Sequence, residues 1–273
     1  PAILSTRRIE TRSDRLVTIA VLPMMSCAGR LPIYMMFVSA LFPSRLQAPV
    51  LFGIYASGVL LALCCARLLK NTLFKAPQRD SLHHMKRLRL PSLRKVGILM
   101  WSRAFMYVRK AGTFILGASI ILWFLNTYPR PEEDTAPTNA AAMEHSYAGQ
   151  IGHWMEPVTQ VAGFDWKINS ALVGAFAAKE IFVTQMGILY AVEDGNSGPA
   201  AQQTLNTRLK ASYTPLQGIS IMIFCLIALP CIGTVTVAKR EAGTWWFALA
   251  QFGGLTLLGF ATATLIYQAG LLL

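Results

Sequence analysis

Four stretches of this chain run without a charged side chain: residues 46–66, 111–129, 211–238 and 242–273, of 21, 19, 28 and 32 residues. A helix needs ~20 mostly apolar residues to cross ~30 Å of hydrocarbon. Runs of this length leave few ways to fold in water, because a soluble domain must cover its core with charge. Only 14% of the 273 residues are charged and 54% are hydrophobic, against about 25% charged in a typical soluble domain. The reading is an all-α polytopic membrane protein, with the lipid bilayer as the solvent of much of its surface.

Two further apolar segments are interrupted. Residues 16–44 contain "VLPMMSCAGRLPIY", with Pro23, Arg30 and Pro32 inside the run, and residues 168–192 contain "GAFAAKEIFVTQ", with the pair Lys179–Glu180. Charge at bilayer depth is costly and faces a cavity or a partner, and interrupted helices are where transporters place their sites. The blander reading is that Lys179 and Glu180 end a short helix at the interface.

Sidedness follows from charge. Between Arg67 and Lys110 stand twelve Lys or Arg and one acid, Asp80; between Pro129 and Asp165 stand six acids and one base, Arg130. Basic loops stay cytoplasmic, so the first loop is expected inside and the second outside. The net charge of +12 is then an orientation signal and no nucleic acid partner is expected, since stacking aromatics are absent from most of the basic loop. "AKRE" at 238–241 belongs inside by the same rule; residues 168–192 then either re-enter or leave both ends on the same side, and otherwise "AKRE" lies outside against the rule, the re-entrant reading being preferred. The expected organisation is a first gate region and following span (1–66), the basic loop (67–110), a span, acidic outer loop and second gate region (111–192), a flexible polar linker (193–215) and C-terminal spans (216–273). "GQIGHWMEPVTQVAGFDW" at 149–166 reads as an interfacial amphipathic helix.

The five cysteines lack zinc-site spacing; Cys64, Cys65 and Cys225 read as small hydrophobes. Cys27 and Cys231 differ, because each neighbours a proline-interrupted stretch: "VLPMMSCAGRLPIY" and "ALPCIGTVTVAKRE". Proline removes a backbone donor, and freed carbonyls tolerate a cavity but not lipid. A thiol beside such a turn is a soft ligand suited to Cu(I), Zn(II) or iron. Arg30, three positions after Cys27, shares its face if the stretch is helical and favours negative charge on sulfur; otherwise it snorkels to the interface. His153 and Glu156 share a helix face and form a weak candidate for outer metal capture. His83 and His84 sit beside Lys86 and Arg87, which repel a metal. No catalytic triad or carboxylate pair is evident, so no enzyme activity is expected.

"PAILSTRRIETRSDRL" with "LPMMSCAGRLPIYMMFVSALFP", then "FDWKINSALVGAFAAKEIFVTQMGILY", then "LPCIGTVTVAKREAGTWWFAL" resemble, in order, the two gate regions and C-terminal motif of the bacterial ferrous iron transport protein B family. The resemblance implies the permease portion of an Fe2+ importer in the bacterial inner membrane, with Fe2+ as transported substrate. It implies metal-handling roles for Cys27 and Cys231, and gating or pathway roles for Pro23, Ser26, Arg30, Pro32, Lys179, Glu180, Pro230 and Thr234. It also implies a GTP-binding domain or N-terminal half as partner, small cytoplasmic accessory proteins and a homo-oligomer. No GxxxxGK[ST] loop occurs, so GTP would act only through a separate domain. The chain opens on Pro1, inside the family's first motif, as expected of a fragment or split gene, and its basic loop lacks the family's acidic and tyrosine residues. The alternatives are a gate-domain permease for another solute, such as a nucleoside, and a non-transporting membrane anchor relic.

Overall fold

The structure, a computed structural model, describes residues 2–9, 11–72, 92–129, 143–190, 199–228 and 230–272, and every regular element in them is helical. The numbered helices are α1 (Arg12–Val21), α2 (Leu31–Leu41), α3 (Ser44–Thr72), α4 (Leu93–Thr127), α5 (Tyr147–Thr159), α6 (Trp166–Ala177), α7 (Lys179–Leu189), α8 (Pro199–Ser212), α9 (Pro215–Ile227), α10 (Ile232–Ala242) and α11 (Trp245–Leu272). Four helical stretches are long and apolar enough to cross a membrane: Arg12–Leu41, Ser44–Thr72, Pro215–Ala242 and Trp245–Leu272; α4 adds the shorter apolar stretch Leu116–Thr127. Large apolar side chains such as Phe52, Leu63, Trp123, Leu257 and Leu265 stand exposed on the outer faces of these helices, a surface that suits acyl chains and not water.

Local chemistry sets the helix starts at one end of the bundle. The Ser146 side chain caps α5 at Gly149 N, Asp165 caps α6 at Ile168 N, and Thr214 with Gln217 closes a capping box around Pro215 at the start of α9. Each satisfies amide donors that a helix start leaves unpaired. α9 and α11 pack antiparallel, from Leu216 beside Gly270, through Ser220 Oγ donating to Ala263 O at 3.2 Å, to Ala228 beside Gly259. Phe37 of α2 fills the centre against Phe182 of α7 and Tyr213.

The opposite end is tied by polar contacts across long sequence separations. Arg7 grips the Glu241 carboxylate with Nε and Nη2, Lys70 meets Asp14 at 3.0 Å, and Gln251 Nε2 donates to Ile19 O at 2.7 Å. α10 therefore runs from the middle of the bundle to this end, and "AKRE" lies beside the N-terminal segment. α6 and α7 form a hairpin that returns to the end where it began: the Lys167 ammonium lies 4.6 Å from the Tyr190 ring centroid, and Tyr190 stacks edge-on to Tyr213. A hairpin of this shape is what a re-entrant reading of residues 168–192 needs.

Two stretches differ from the sequence expectation. The polar stretch expected as a flexible connection contains α8, a 14-residue helix laid on α2 with Leu205 and Leu209 buried. Its two leucines, four apart, supply one apolar stripe, enough to dock a polar helix. The basic loop is shorter than 67–110, because α3 continues to Thr72 and α4 begins at Leu93; straight-chain Lys and Arg are good helix formers and do not end a helix. His83 and His84 lie outside the described residues. The amphipathic stretch expected at the interface is α5, with Trp154 83% exposed.

At the capped end, Tyr213 OH donates to both Asp165 oxygens at 3.0 and 2.9 Å, and Asp165 Oδ1 also accepts from Ile168 N. Burial pushes the Asp165 carboxyl above its usual range, against the opposing pull of the Ile168 amide, Tyr213 and the Lys167 charge. A carboxyl raised in the folded state binds its proton more tightly there. Its stabilising contribution is present below the unfolded value and is lost as pH rises through the folded one. Tyr213→Phe removes a donor to the ionised form and raises that value further. The variant should therefore be less stable than the parent at pH 8, with the gap in melting temperature narrowing toward pH 4; a gap that is constant with pH refutes the coupling.

Candidate functional site

Three helix interruptions meet in the middle of the bundle. The first spans the 3-10 turn Leu22–Met24, an extended segment through Cys27 and the 3-10 turn Ala28–Arg30, before α2 begins at Leu31. Pro23 is buried in the first of these turns and Pro32 opens α2. The second is Ala178, extended between α6 and α7. The third runs from Ala228 to Cys231, where α9 ends and α10 begins, with Pro230 buried between them. None of the helices that start here (α2, α7 and α10) carries a side-chain cap, unlike α5, α6 and α9 at the capped end.

Lys179 joins the second interruption to the third. It is 5% exposed, and its ammonium donates to Cys225 O and Ala228 O, each at 3.1 Å. Those carbonyls end α9, where helix geometry leaves acceptors without amide partners and the macrodipole is negative. Arg30, 2% exposed, does the same in the first interruption: its Nη1 donates to Met25 O at 3.2 Å, the carbonyl just past the turn Leu22–Met24, while its Nε has no partner. Two buried cations thus each sit on backbone carbonyls released by a helix break. Glu180 supplies the negative counterpart: it is exposed, begins α7 and lies against Gly29. A β-carbon at Gly29 would meet Glu180 Oε1 at 2.6 Å, so a larger residue there would make the exposed Glu180 carboxylate swing aside.

Both predicted cysteines border this centre. Cys27, exposed, precedes the turn Ala28–Arg30; Cys231, half-buried, precedes α10, with its Sγ 3.2 Å from Thr234 Oγ1. Arg30, Cys27, Cys225 and Cys231 lie around the Lys179 ammonium. Among the described residues, no group of three or more His, Cys, Asp or Glu side chains stands in metal-holding geometry.

Several expectations change. Cys27 and Arg30 do not share a helix face, because the backbone is extended at Cys27 and then turns as a 3-10 helix; Arg30 does not snorkel but folds back onto Met25. Lys179 and Glu180 begin a helix at mid-bundle and do not end one at the interface. Cys225 is buried as expected, whereas Cys64 is exposed and Cys65 intermediate on α3. Ser26 Oγ and Tyr34 OH, both buried, face each other near Arg30 without meeting hydrogen-bond geometry. Tyr34, Gly29 and the Cys225 and Ala228 carbonyls were not singled out in the sequence. A tyrosine two residues after Pro32 in an apolar run was the one available signal, and backbone acceptors leave none.

Apart from this centre, His153 bridges two carboxylates, with Nε2 3.7 Å from Glu144 and Nδ1 3.4 Å from Glu156, and stacks on Trp166. Glu144 joins the predicted pair through the fold and not through sequence spacing.

Comparison with known proteins identifies the setting. A family model described as Gate, nucleoside recognition, matches residues 108–245, and one described as ferrous iron transport protein B C terminus matches residues 51–103. The chain is 37% identical over 258 residues to the Fe(2+) transporter FeoB of Campylobacter jejuni, covering 92% of this chain and 41% of the relative. It is 35% identical over 308 residues to a Fe(2+) transport protein A/FeoB fusion protein of Porphyromonas gingivalis, covering 100% and 36%. The FeoB of Methanocaldococcus jannaschii is 34% identical over 275 residues, covering 100% and 40%. The chain thus spans about two fifths of the length of these relatives. No solved structure matches. With both domain matches and alignment along nearly the whole of this chain to several such transporters, this multi-pass membrane chain belongs to the ferrous iron transport protein B family, of which it carries the C-terminal membrane part.

Proposed function

We propose that this chain forms the metal-conducting membrane portion of a ferrous iron importer of the bacterial inner membrane, working with a GTP-binding domain outside this sequence. The observation that carries the reading is the meeting of three helix interruptions around Lys179, with Cys27 and Cys231 at its border. Fe2+ as cargo suits sulfur ligands better than Mg2+ or Ca2+ would, and two thiols with a few carbonyls bind weakly enough to release an ion onward. Pro23, Pro32 and Pro230 keep the helices open, Ser26 and Thr234 offer hydroxyls beside the thiols, and Glu180 attracts a cation toward the breaks. Glu144 and Glu156 concentrate cations at the outer end electrostatically, with His153 between them as a nitrogen ligand. The end holding Arg7, Lys70 and Glu241 faces the cytoplasm, following the positive-inside rule.

Anaerobic uptake into proteoliposomes tests this, using the chain joined to the upstream portion that its relatives possess. Fe2+ should accumulate and a hundredfold excess of nucleoside should not compete. Nucleoside uptake, or competition by nucleoside, would replace the metal reading with a solute permease; no uptake of either in a correctly inserted protein would favour a membrane anchor.

A further inference from the structure

The ammonium of Lys179 occupies a place that a transported cation would occupy. It is buried at mid-bundle and held at 3.1 Å by two carbonyls at the end of α9, and it is within electrostatic reach of Cys27 and Cys231. No carboxylate makes an ion pair with it among the described residues; its negative partners are the dipole and free carbonyls of a broken helix. In transporters, unwound carbonyls and half-helix C-termini coordinate the coupling or transported ion. Here the same kind of acceptor is taken by a side chain of the neighbouring hairpin.

We propose that Lys179 is a built-in substitute cation: it closes the pathway at the α9–α10 break when no metal is present, and a permeating divalent ion must displace it. This rests on the importer reading above. Three consequences follow from its charge and its place at the start of α7. A divalent cation and an ammonium cannot share two carbonyls without strong repulsion, so metal binding and Lys179 seating exclude each other. The carbonyls stay satisfied in both states, because one cation replaces another, which makes the break stable when empty and when loaded. Because Lys179 opens α7, its release frees the α6–α7 hairpin from α9 and couples occupancy to movement of the second gate region.

The test uses the full chain in nanodiscs with Co(II), whose thiolate absorption reports binding. Lys179→Met removes the competing charge and should bind Co(II) about tenfold more tightly than the parent, a coupling within the usual range for two linked sites. Lys179→Arg keeps a cation at the break and should bind within about threefold of the parent. In the unmutated protein, saturating Co(II) should raise acetylation of Lys179 by acetic anhydride severalfold, read by mass spectrometry. A lysine that only braces the fold gives the opposite sign, with weaker metal binding once it is removed. If folded Lys179→Met binds Co(II) no more tightly than the parent, the substitute-cation role is wrong while the importer reading stands. If Lys179→Met does not fold, the acetylation arm decides: equal shielding of Lys179 with and without bound metal overturns the proposal. Failure of parent and variant alike to bind Co(II) overturns the importer reading, and this inference with it.

Discussion

Gly259→Ala should destabilise the protein by about 1–3 kcal/mol, the usual cost of forcing extra volume into a well-packed contact, whereas Gly253→Ala on the same helix should be neutral or slightly stabilising. The two positions differ only in what faces them. A β-carbon at Gly259 would lie 2.7 Å from Ala228 Cβ, 3.1 Å from its amide nitrogen and 3.3 Å from its Cα. Two of these atoms are backbone at the end of α9 and the third is bonded directly to it, so none can rotate away as a side-chain tip can. A β-carbon at Gly253 would meet nothing within 4 Å, and replacing an unconstrained helical glycine removes backbone entropy from the unfolded chain, worth roughly 0.5–1 kcal/mol. The pair therefore predicts opposite signs from one chemical change. The effect of Gly259→Ala should also reach the functional centre, because pushing Ala228 away moves a carbonyl that accepts from Lys179. Melting temperature in detergent and Co(II) affinity in nanodiscs, measured on both variants, give the result. Equal stabilities would mean that α11 does not approach the break closely.

The fold was legible wherever one residue type decides the matter locally. Uncharged runs located three of the four candidate spans, prolines located the interruptions at 22–30 and 228–231, and the loop charges pointed to a hairpin at 168–192; the fourth candidate span, Arg12–Leu41, lay in an interrupted segment, and the uncharged run at 111–129 contributes only to the short apolar stretch Leu116–Thr127. What the sequence hid depends on who meets whom. Helix α8 was missed because its apolar stripe is two leucines wide and is meaningful only against α2. Arg30 and Lys179 were visible as misplaced charges, but their acceptors are main-chain carbonyls at helix ends, and every residue carries one. The role of Gly29 depends on Glu180, 151 positions away along the chain. Sequence reasoning therefore finds polar groups that lipid would not tolerate, and the fold assigns what satisfies them.

Replacing Cys27 and Cys231 together by serine should weaken Co(II) binding on the order of a hundredfold, at least the loss seen when even the supporting shell of a metal site is removed, with melting temperature unchanged. The two halves of this expectation have separate causes. Serine keeps the size of cysteine but exchanges a polarisable sulfur for a hard, protonated hydroxyl, which ligates soft or borderline metals poorly. Stability should hold because of where the two residues sit. Cys231 stands at the N-cap of α10, its carbonyl accepting from Thr234 N at 2.8 Å, and its side chain makes no capping bond to that helix. Serine is among the favoured N-cap residues, so the variant can gain a cap where the parent has none. Cys27 is exposed and precedes a 3-10 turn, where a hydroxyl costs no burial. The reference variant replaces Cys64, Cys65 and Cys225 and should bind Co(II) as the parent does: Cys225 serves Lys179 through its carbonyl, which serine retains, and the other two lie on α3. Full affinity in the Cys27/Cys231 variant would remove sulfur from the pathway. Equal loss in the reference variant would mean that the thiols act by packing, and only the first outcome paired with a silent reference assigns them to the metal.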